Sequence, residues 1–320
     1  MLRFKKLLIY ILTIILIVGL IFVGYKYYQF DKDKVYYELS FTCLPIKTGD
    51  YAKVEETTQA LIKYNQNRDN KTLEKKVKDL IQHFEITDQL AFIKTKDPNF
   101  GKMSYSFSEK IKEKEIINDK VRYTFDSMQT VSGLPYLKVT ARVAFKPYAS
   151  YKPAAEIDEK RYLKTAHYWP VKEQYINSIV ANITNKDMSR QEKVLAISNW
   201  INSNMEPAEE KGTRFGALKA AQTKKGRCMD YSDVFITLCR ATGIPTRQVF
   251  GRIYQGGGHA WAEVYLKNEG WYPVEPQYKR LGVSKNHIPL FVSSEGNFPV
   301  LFWTLPKMER AKGFIDYLFF

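Results

Sequence analysis

An uncharged apolar run near the N-terminus constrains the fold of this chain more than any other feature. The run extends from Leu7 to Tyr25, with three basic residues before it and Lys26 after it. A helix over this run is about 28 Å long, close to the ~30 Å hydrocarbon core of a bilayer. Positive charge before the run favours a cytoplasmic N-terminus, and no small-residue cleavage pattern follows it. The sequence therefore predicts a cytoplasmic tail at 1–6, an uncleaved transmembrane anchor at 7–25, and the remaining chain outside the cytoplasm.

Charge and cysteine content narrow the class of protein. The 320 residues carry 49 Lys and Arg against 34 Asp and Glu, a formal net charge of +15. Outside the cytoplasm this charge favours anionic lipid headgroups or anionic envelope polymers as partners over nucleic acid. General lysine enrichment of a solvated surface explains the same excess. Three cysteines are too few to build a disulfide framework. We expect the membrane and anionic envelope polymers as partners, and no nucleic acid.

The chain between the anchor and residue 160 has the pattern of a small α+β domain. Helix-forming residues fill 54–84, where apolar side chains recur at helical spacing. Alternating segments predict an antiparallel sheet. The predicted strands are 103–107, 121–125 and 137–143. Proline and charged residues at 146–160 indicate a linker. We therefore predict an extracytoplasmic α+β domain of unassigned role at 26–160 and a second domain at 161–320.

A thiol stands at the predicted start of a helix in the second domain. Gly226 breaks the chain just before Cys228, and apolar residues then recur at i, i+3, i+4 and i+7. The free N–H groups of a helix N-terminus favour an anion, and Arg227 adds a cation, so both favour a thiolate. Capping of the helix explains an acid at Asp230. Cys239 lies about 16 Å further along the helix and is predicted to be core. The competing interpretation of Cys228 is a small buried apolar side chain.

A predicted hairpin brings an imidazole and a carboxylate towards each other. His259 opens an alternating segment, 267–270 has turn composition, and 271–274 forms the return strand before Glu275. Whether both side chains point to one face depends on the strand register, which the sequence leaves open. A thiol, an imidazole and a carboxylate are the groups that a cysteine nucleophile requires. The competing interpretations are a structural histidine and a strand-end carboxylate.

Five motifs follow one another in this second domain. They are Asn199-Trp200-Ile201, Gly226-x-Cys228-x-Asp230-Tyr231, the stretch from Cys239 to Arg247, His259-Ala260-Trp261-x-Glu263-Val264, and Gly270-Trp271-x-Pro273-Val274-x-Pro276. In this order they resemble the transglutaminase-like superfamily, a branch of the papain-like thiol enzymes, over residues Tyr162 to Tyr278. The fold class that the resemblance implies is α+β. It is a papain-like transglutaminase core of helices and antiparallel sheet, preceded by the small α+β domain and a transmembrane helix.

The resemblance implies roles for individual side chains. Cys228 is the nucleophile and His259 its base. Glu275 takes the position where the family usually has Asp, so a glutamate orients the imidazole. The backbone N–H of Cys228 is expected to be the first oxyanion donor. The Gln222 side chain and the Trp200 indole are candidates for the second donor, and core packing is the competing interpretation of Trp200.

We expect a membrane-anchored, extracytoplasmic thiol enzyme that acts on amide bonds by acyl transfer, through either protein cross-linking or amide hydrolysis. The expected substrate is a protein or peptide, with cell-wall peptide as one candidate, and we expect no cofactor and no metal. The alternative is a weak or inactive module of this fold that serves in envelope binding or assembly. Intact Cys228 and His259 favour the enzyme, whereas a glutamate at position 275 is the best support for the alternative.

Overall fold

The computed structural model describes residues 2–30, 32, 34–47, 51–93, 103–117, 120–146, 156–209, 214–278, 280–311, 314 and 316. The helices are α1 (Leu2–Gln29), α2 (Tyr51–Gln66), α3 (Lys71–Ile81), α4 (Gln174–Ile183), α5 (Arg190–Asn204), α6 (Ala217–Thr223) and α7 (Cys228–Ala241), with a 3₁₀ turn at Glu159–Leu163. The first strands are β1 (Val35–Pro45), β2 (Gln89–Ile93), β3 (Met103–Phe107), β4 (Ile111–Ile117), β5 (Lys120–Phe125), β6 (Gln129–Val131), β7 (Leu134–Phe145), β8 (Glu206–Pro207) and β9 (Lys225–Gly226). The remaining strands are β10 (Thr246–Ile253), β11 (Gly258–Leu266), β12 (Gly270–Glu275), β13 (Arg280–Leu281), β14 (His287–Ser293), β15 (Val300–Phe302) and β16 (Lys307–Ala311).

Helix α1 contains the predicted anchor. Its window Tyr10–Tyr28 has a mean hydropathy of 2.0, and none of that window is buried inside the protein. A helix of this length and composition is suited to a bilayer, because all its backbone groups are hydrogen-bonded within the segment. The prediction of one N-terminal apolar helix is confirmed.

Strand β1 organises the first sheet, whose order is β15-β1-β7-β3, with β16 also paired to β1 and β6 to β7. The predicted strands at 103–107, 121–125 and 137–143 are confirmed in β3, β5 and β7. The structure differs from the predicted division at residue 160, because β15 and β16 pair antiparallel with β1. The C-terminal strands thus complete a sheet of the first domain. Most of the predicted linker, at 147–155, lies outside the described residues.

Helices α2 and α3 occupy the segment predicted as helical. The Asn70 side chain accepts from the backbone N–H of Leu73 at 3.0 Å and caps α3, which is why the helical pattern divides into two helices. Their apolar faces pack on the first sheet around Leu44, Leu301 and Trp303. This packing fixes the position of α2 on the first sheet.

The second sheet and α7 position the predicted thiol and imidazole. The sheet has the order β13-β12-β11-β10-β14 and is antiparallel. Apolar side chains of α7 pack against β11 and β12 in one buried cluster. Asp233 of α7 is also held by the buried Arg214 guanidinium and by the Trp169 indole N–H at 2.7 Å. The mixed α+β fold with antiparallel sheets predicted from the sequence is confirmed.

Candidate active site

Helix α7 begins at Cys228, as the sequence predicts. Buried Asp230 accepts from the backbone N–H of Arg227 at 3.0 Å, and from those of Phe215 and Gly216 at 2.6 and 3.1 Å. Burial raises the pKa of Asp230 to about 6, although these N–H groups favour its charged form. A Cβ atom on Gly226 would lie 2.6 Å from the Cβ of Asp230, so glycine is required there. The predicted capping role of Asp230 is confirmed.

The hairpin of β11 and β12 has the register that the sequence left open. Ala262 pairs with Val274, so Glu275 lies across from Trp261. Because cross-strand partners and alternate residues share a face, His259 and Glu275 point to the same side. Nε2 of His259 lies 2.6 Å from Oε2 of the buried Glu275.

The structure brings Cys228 together with this histidine and carboxylate. Cys228 and His259 lie on the same cavity and interact electrostatically, and Nδ1 is the ring nitrogen left for the thiol because Nε2 faces Glu275. Burial favours a neutral ring, but the hydrogen bonds and charges of Cys228 and Glu275 outweigh it and raise the pKa of His259 to about 10. Burial also opposes ionisation of Glu275, yet hydrogen bonds from its histidine partners lower the pKa of this carboxyl. The arrangement therefore favours the protonated imidazolium form of His259 beside an ionised Glu275.

A second histidine, His287, was not identified by the sequence reasoning. Its Nε2 lies 2.8 Å from the same Glu275 oxygen, and its Nδ1 lies 2.9 Å from the Ser284 hydroxyl. In the neutral ring Nε2–H donates to the carboxylate while Nδ1 accepts from the serine. His287 thus fixes the rotamer of Glu275. Its only sequence signal is a polar residue opening the apolar stretch that becomes β14.

Glycine at position 251 allows β14, which carries His287, to lie close to the strand that carries His259. Gly251 pairs with His259 on one side and Pro289 on the other. A Cβ atom there would lie 2.1 Å from the carbonyl oxygen of Ile288 and 2.7 Å from the Trp261 ring. Only glycine permits β14 to lie this close, and β14 carries His287.

His259, Glu275 and His287 also offer ligand atoms within 4.8 Å of one another. This set of two imidazoles and a carboxylate suits a transition metal. However, a metal on both Nε2 atoms would replace the two hydrogen bonds that hold Glu275. Hydrogen bonding accounts for the cluster, and the absence of a metal stays a prediction.

A cavity of about 170 Å³ adjoins the thiol and the imidazole. Cys228 and His259 form part of its wall, and residues of β10 and β14 form another part. Helix α2 of the first domain supplies Val54, Glu55 and further residues of the lining. The domain whose role the sequence did not indicate therefore forms part of the candidate site.

The two side chains that were candidates for the second oxyanion donor do not line the cavity. Gln222 is exposed on α6, and the half-buried Trp200 packs against the core cluster around α7. The backbone N–H of Cys228 sits in the first turn of α7, where a helix offers it no acceptor. The other two thiols, Cys43 and Cys239, are fully buried, and burial raises the pKa of both.

Comparison with known proteins identifies the domain that carries this site. Residues 177–276 match the family model of the transglutaminase-like superfamily. The match falls on the segment whose motifs predicted a resemblance to this superfamily. An uncharacterized protein of Haemophilus influenzae is 28% identical over 159 residues, covering 39% of this chain and 43% of that protein. A protein-glutamine gamma-glutamyltransferase of Pseudomonas aeruginosa is 35% identical over 72 residues, 18% of this chain and 10% of that protein. The chain thus spans less than half the length of these curated relatives.

Two solved structures match most of the chain at low identity. A candidate cysteine protease from Cytophaga hutchinsonii has a TM-score of 0.48 and 16% identity, with 87% of this chain and 90% of that chain covered. The periplasmic domain of TgpA from Pseudomonas aeruginosa, bound to ethylmercury, has a TM-score of 0.35 and 15% identity, with 77% and 90% covered. The family match supports a thiol enzyme of this class.

Proposed function

We propose that this protein is a membrane-anchored, extracytoplasmic thiol enzyme that transfers acyl groups from amide substrates through Cys228, His259 and Glu275. One observation carries the proposal: a thiol at a helix N-terminus lines the same cavity as an imidazole whose Nε2 lies 2.6 Å from a buried carboxylate. This is the arrangement of groups that activates a cysteine nucleophile. The substrate class is a protein or peptide.

The geometry supports a two-step reaction. The Cys228 thiolate attacks the amide carbonyl carbon, and the N–H groups at the start of α7 stabilise the oxyanion. His259 gives its proton to the leaving nitrogen as the carbon–nitrogen bond breaks, which leaves a thioester on Cys228. Water or an amine then attacks the thioester and gives its proton to His259, and the thiolate is restored. Glu275 holds the ring, and His287 holds Glu275.

The proposed location rests on α1 and on the charges around it. The apolar window Tyr10–Tyr28 is exposed in the protein, and basic residues precede the apolar run. This charge distribution favours an N-terminus in the cytoplasm and the remaining chain outside. There, the net charge of +15 suits anionic envelope polymers as partners.

Trapping of the acyl-enzyme tests the reaction. The full-length protein in detergent is incubated with a glutamine peptide, quenched in acid and analysed by mass spectrometry. We expect the fragment containing Cys228 to gain the mass of the peptide minus ammonia. Addition of a primary amine should release the amide product. Cys239→Ala is the matched control and should retain the adduct, whereas Cys228→Ala should lose it. If no adduct forms and Cys228 reacts as an ordinary thiol, the protein is an inactive binding module of this fold.

A further inference from the structure

The cavity beside Cys228 contains two charged side chains that the reaction does not use. Glu55 enters from α2, and Arg252 enters from the end of β10. Oε2 of Glu55 and Nε of Arg252 are both buried, and neither has a hydrogen-bond partner among the described residues. Arg252 uses one terminal nitrogen to donate to the carbonyl of Gly256 at 2.9 Å.

These two charges do not pair with each other. No ion pair joins them among the described residues, and burial alone lowers the pKa of Arg252. Both side chains are half-buried, and each has one buried polar atom without a partner among the described residues. Such an atom costs free energy unless a ligand or water supplies the missing hydrogen bond. A carboxylate pairs with an ammonium group, and a guanidinium pairs with a carboxylate.

The size and the remaining lining restrict what the ligand can be. A volume of about 170 Å³ is below the ~300 Å³ at which drug-sized pockets begin, so the cavity holds one amino-acid-sized group. Phe250, Phe291 and Leu290 supply apolar parts of the cavity wall. The ligand therefore combines an apolar middle with two opposite charges.

We propose that this cavity is a substrate subsite for a zwitterionic amino-acid unit, with its ammonium at Glu55 and its carboxylate at Arg252. The inference rests on the proposed function, since it names the substrate class presented to Cys228. It also gives the first domain a role, because Glu55 belongs to α2. Among protein and peptide substrates, those that present an amino-acid unit with both free charges are thereby favoured over the interior of a chain, which carries neither terminal charge.

Charged thiol reagents test the subsite without knowledge of the natural substrate. Cys228 of the full-length protein is labelled with aminoethyl, sulfonatoethyl and methyl methanethiosulfonate, and the rates are read by mass spectrometry of its peptide. The methyl reagent reports the reactivity of the thiol. The ratios of the charged reagents to the methyl reagent report the charges that line the approach.

We expect Glu55→Gln to lower the cation-to-neutral ratio by about fivefold or more, and Arg252→Gln to lower the anion-to-neutral ratio similarly. Glu56→Gln and Arg68→Gln are the matched controls, because both residues are exposed and the net charge changes equally. Thermal melting confirms that each variant is folded. The proposal is overturned if either cavity variant alters its ratio no more than its control does.

The outcomes separate this inference from the proposed function. Fast labelling by the methyl reagent with unchanged charge ratios leaves the thiol enzyme standing and removes the zwitterion subsite. Slow labelling by the methyl reagent refutes the activated thiol, while lowered ratios in both variants still establish the charged cavity.

Discussion

Replacement of Glu275 by glutamine tests how the imidazolium is stabilised. The site raises the pKa of His259 from 6.5 to about 10, which corresponds to on the order of 5 kcal/mol of preference for the charged ring. Cys228 and Glu275 produce this effect against the cost of burial. If Cys228 and Glu275 contribute comparably to the raised pKa, Glu275→Gln lowers the pKa of His259 by about 1–2 pH units. Turnover should fall at least about tenfold, and Glu275→Asp should keep much of it.

The assay is an NMR titration of the histidine Cε1–H signals, assigned by substitution of each of the four histidines. Glu269→Gln is the matched control, because Glu269 is exposed in the turn of the same hairpin. Because the folded-state pKa of His259 is raised, its contribution to stability is complete below pH 6.5 and is lost as the pH rises towards about 10. Glu275→Gln should shorten this window. A His259 titration that moves no more than in the Glu269 control refutes the orienting role of Glu275.

Three further predictions follow from the neighbours of the triad and from α1. His287→Ala should lower turnover about tenfold. His287→Gln should restore part of the turnover, because the amide N–H can still donate a hydrogen bond to Glu275. Equal loss in both variants would show that His287 does not act by donating this hydrogen bond. Gly251→Ala should lower the free energy of unfolding by about 1–3 kcal/mol, because the added Cβ clashes with β14. Gly257→Ala, with open space around the residue, should melt at the temperature of the parent protein. Equal melting temperatures for the two variants would contradict the close approach of β14 to Gly251. Protease added to intact protoplasts should digest the chain beyond Lys26, and complete protection would reverse the proposed orientation.

The sequence predicts well what depends on neighbouring residues. Gly226 and the apolar periodicity after Cys228 gave the start of α7, because helix termination and amphipathicity are local properties. The hairpin was predicted because its turn is short. Its register was not, because a slip of one residue changes the face of Glu275 at no local cost.

Features that depend on distant parts of the chain could not be predicted. His287 contacts Glu275 because β14, which carries His287, pairs with β10 in the sheet that also contains β12. Pairing of β1 with β15 and β16 joins segments more than 240 residues apart, and no local pattern encodes it. Helix α2 was predicted, but its position against the cavity follows from packing on the first sheet.

The most direct test of the thiol enzyme is the alkylation rate of each cysteine by iodoacetamide at pH 6. Only a thiolate reacts appreciably there, so we expect Cys228 to react at least about tenfold faster than free cysteine. Cys43 and Cys239 should stay unmodified because they are buried. His259→Ala should slow the labelling of Cys228 by removing the imidazolium. A Cys228 that reacts no faster than free cysteine, with the same rate in His259→Ala, would contradict the account and leave a binding module in its place.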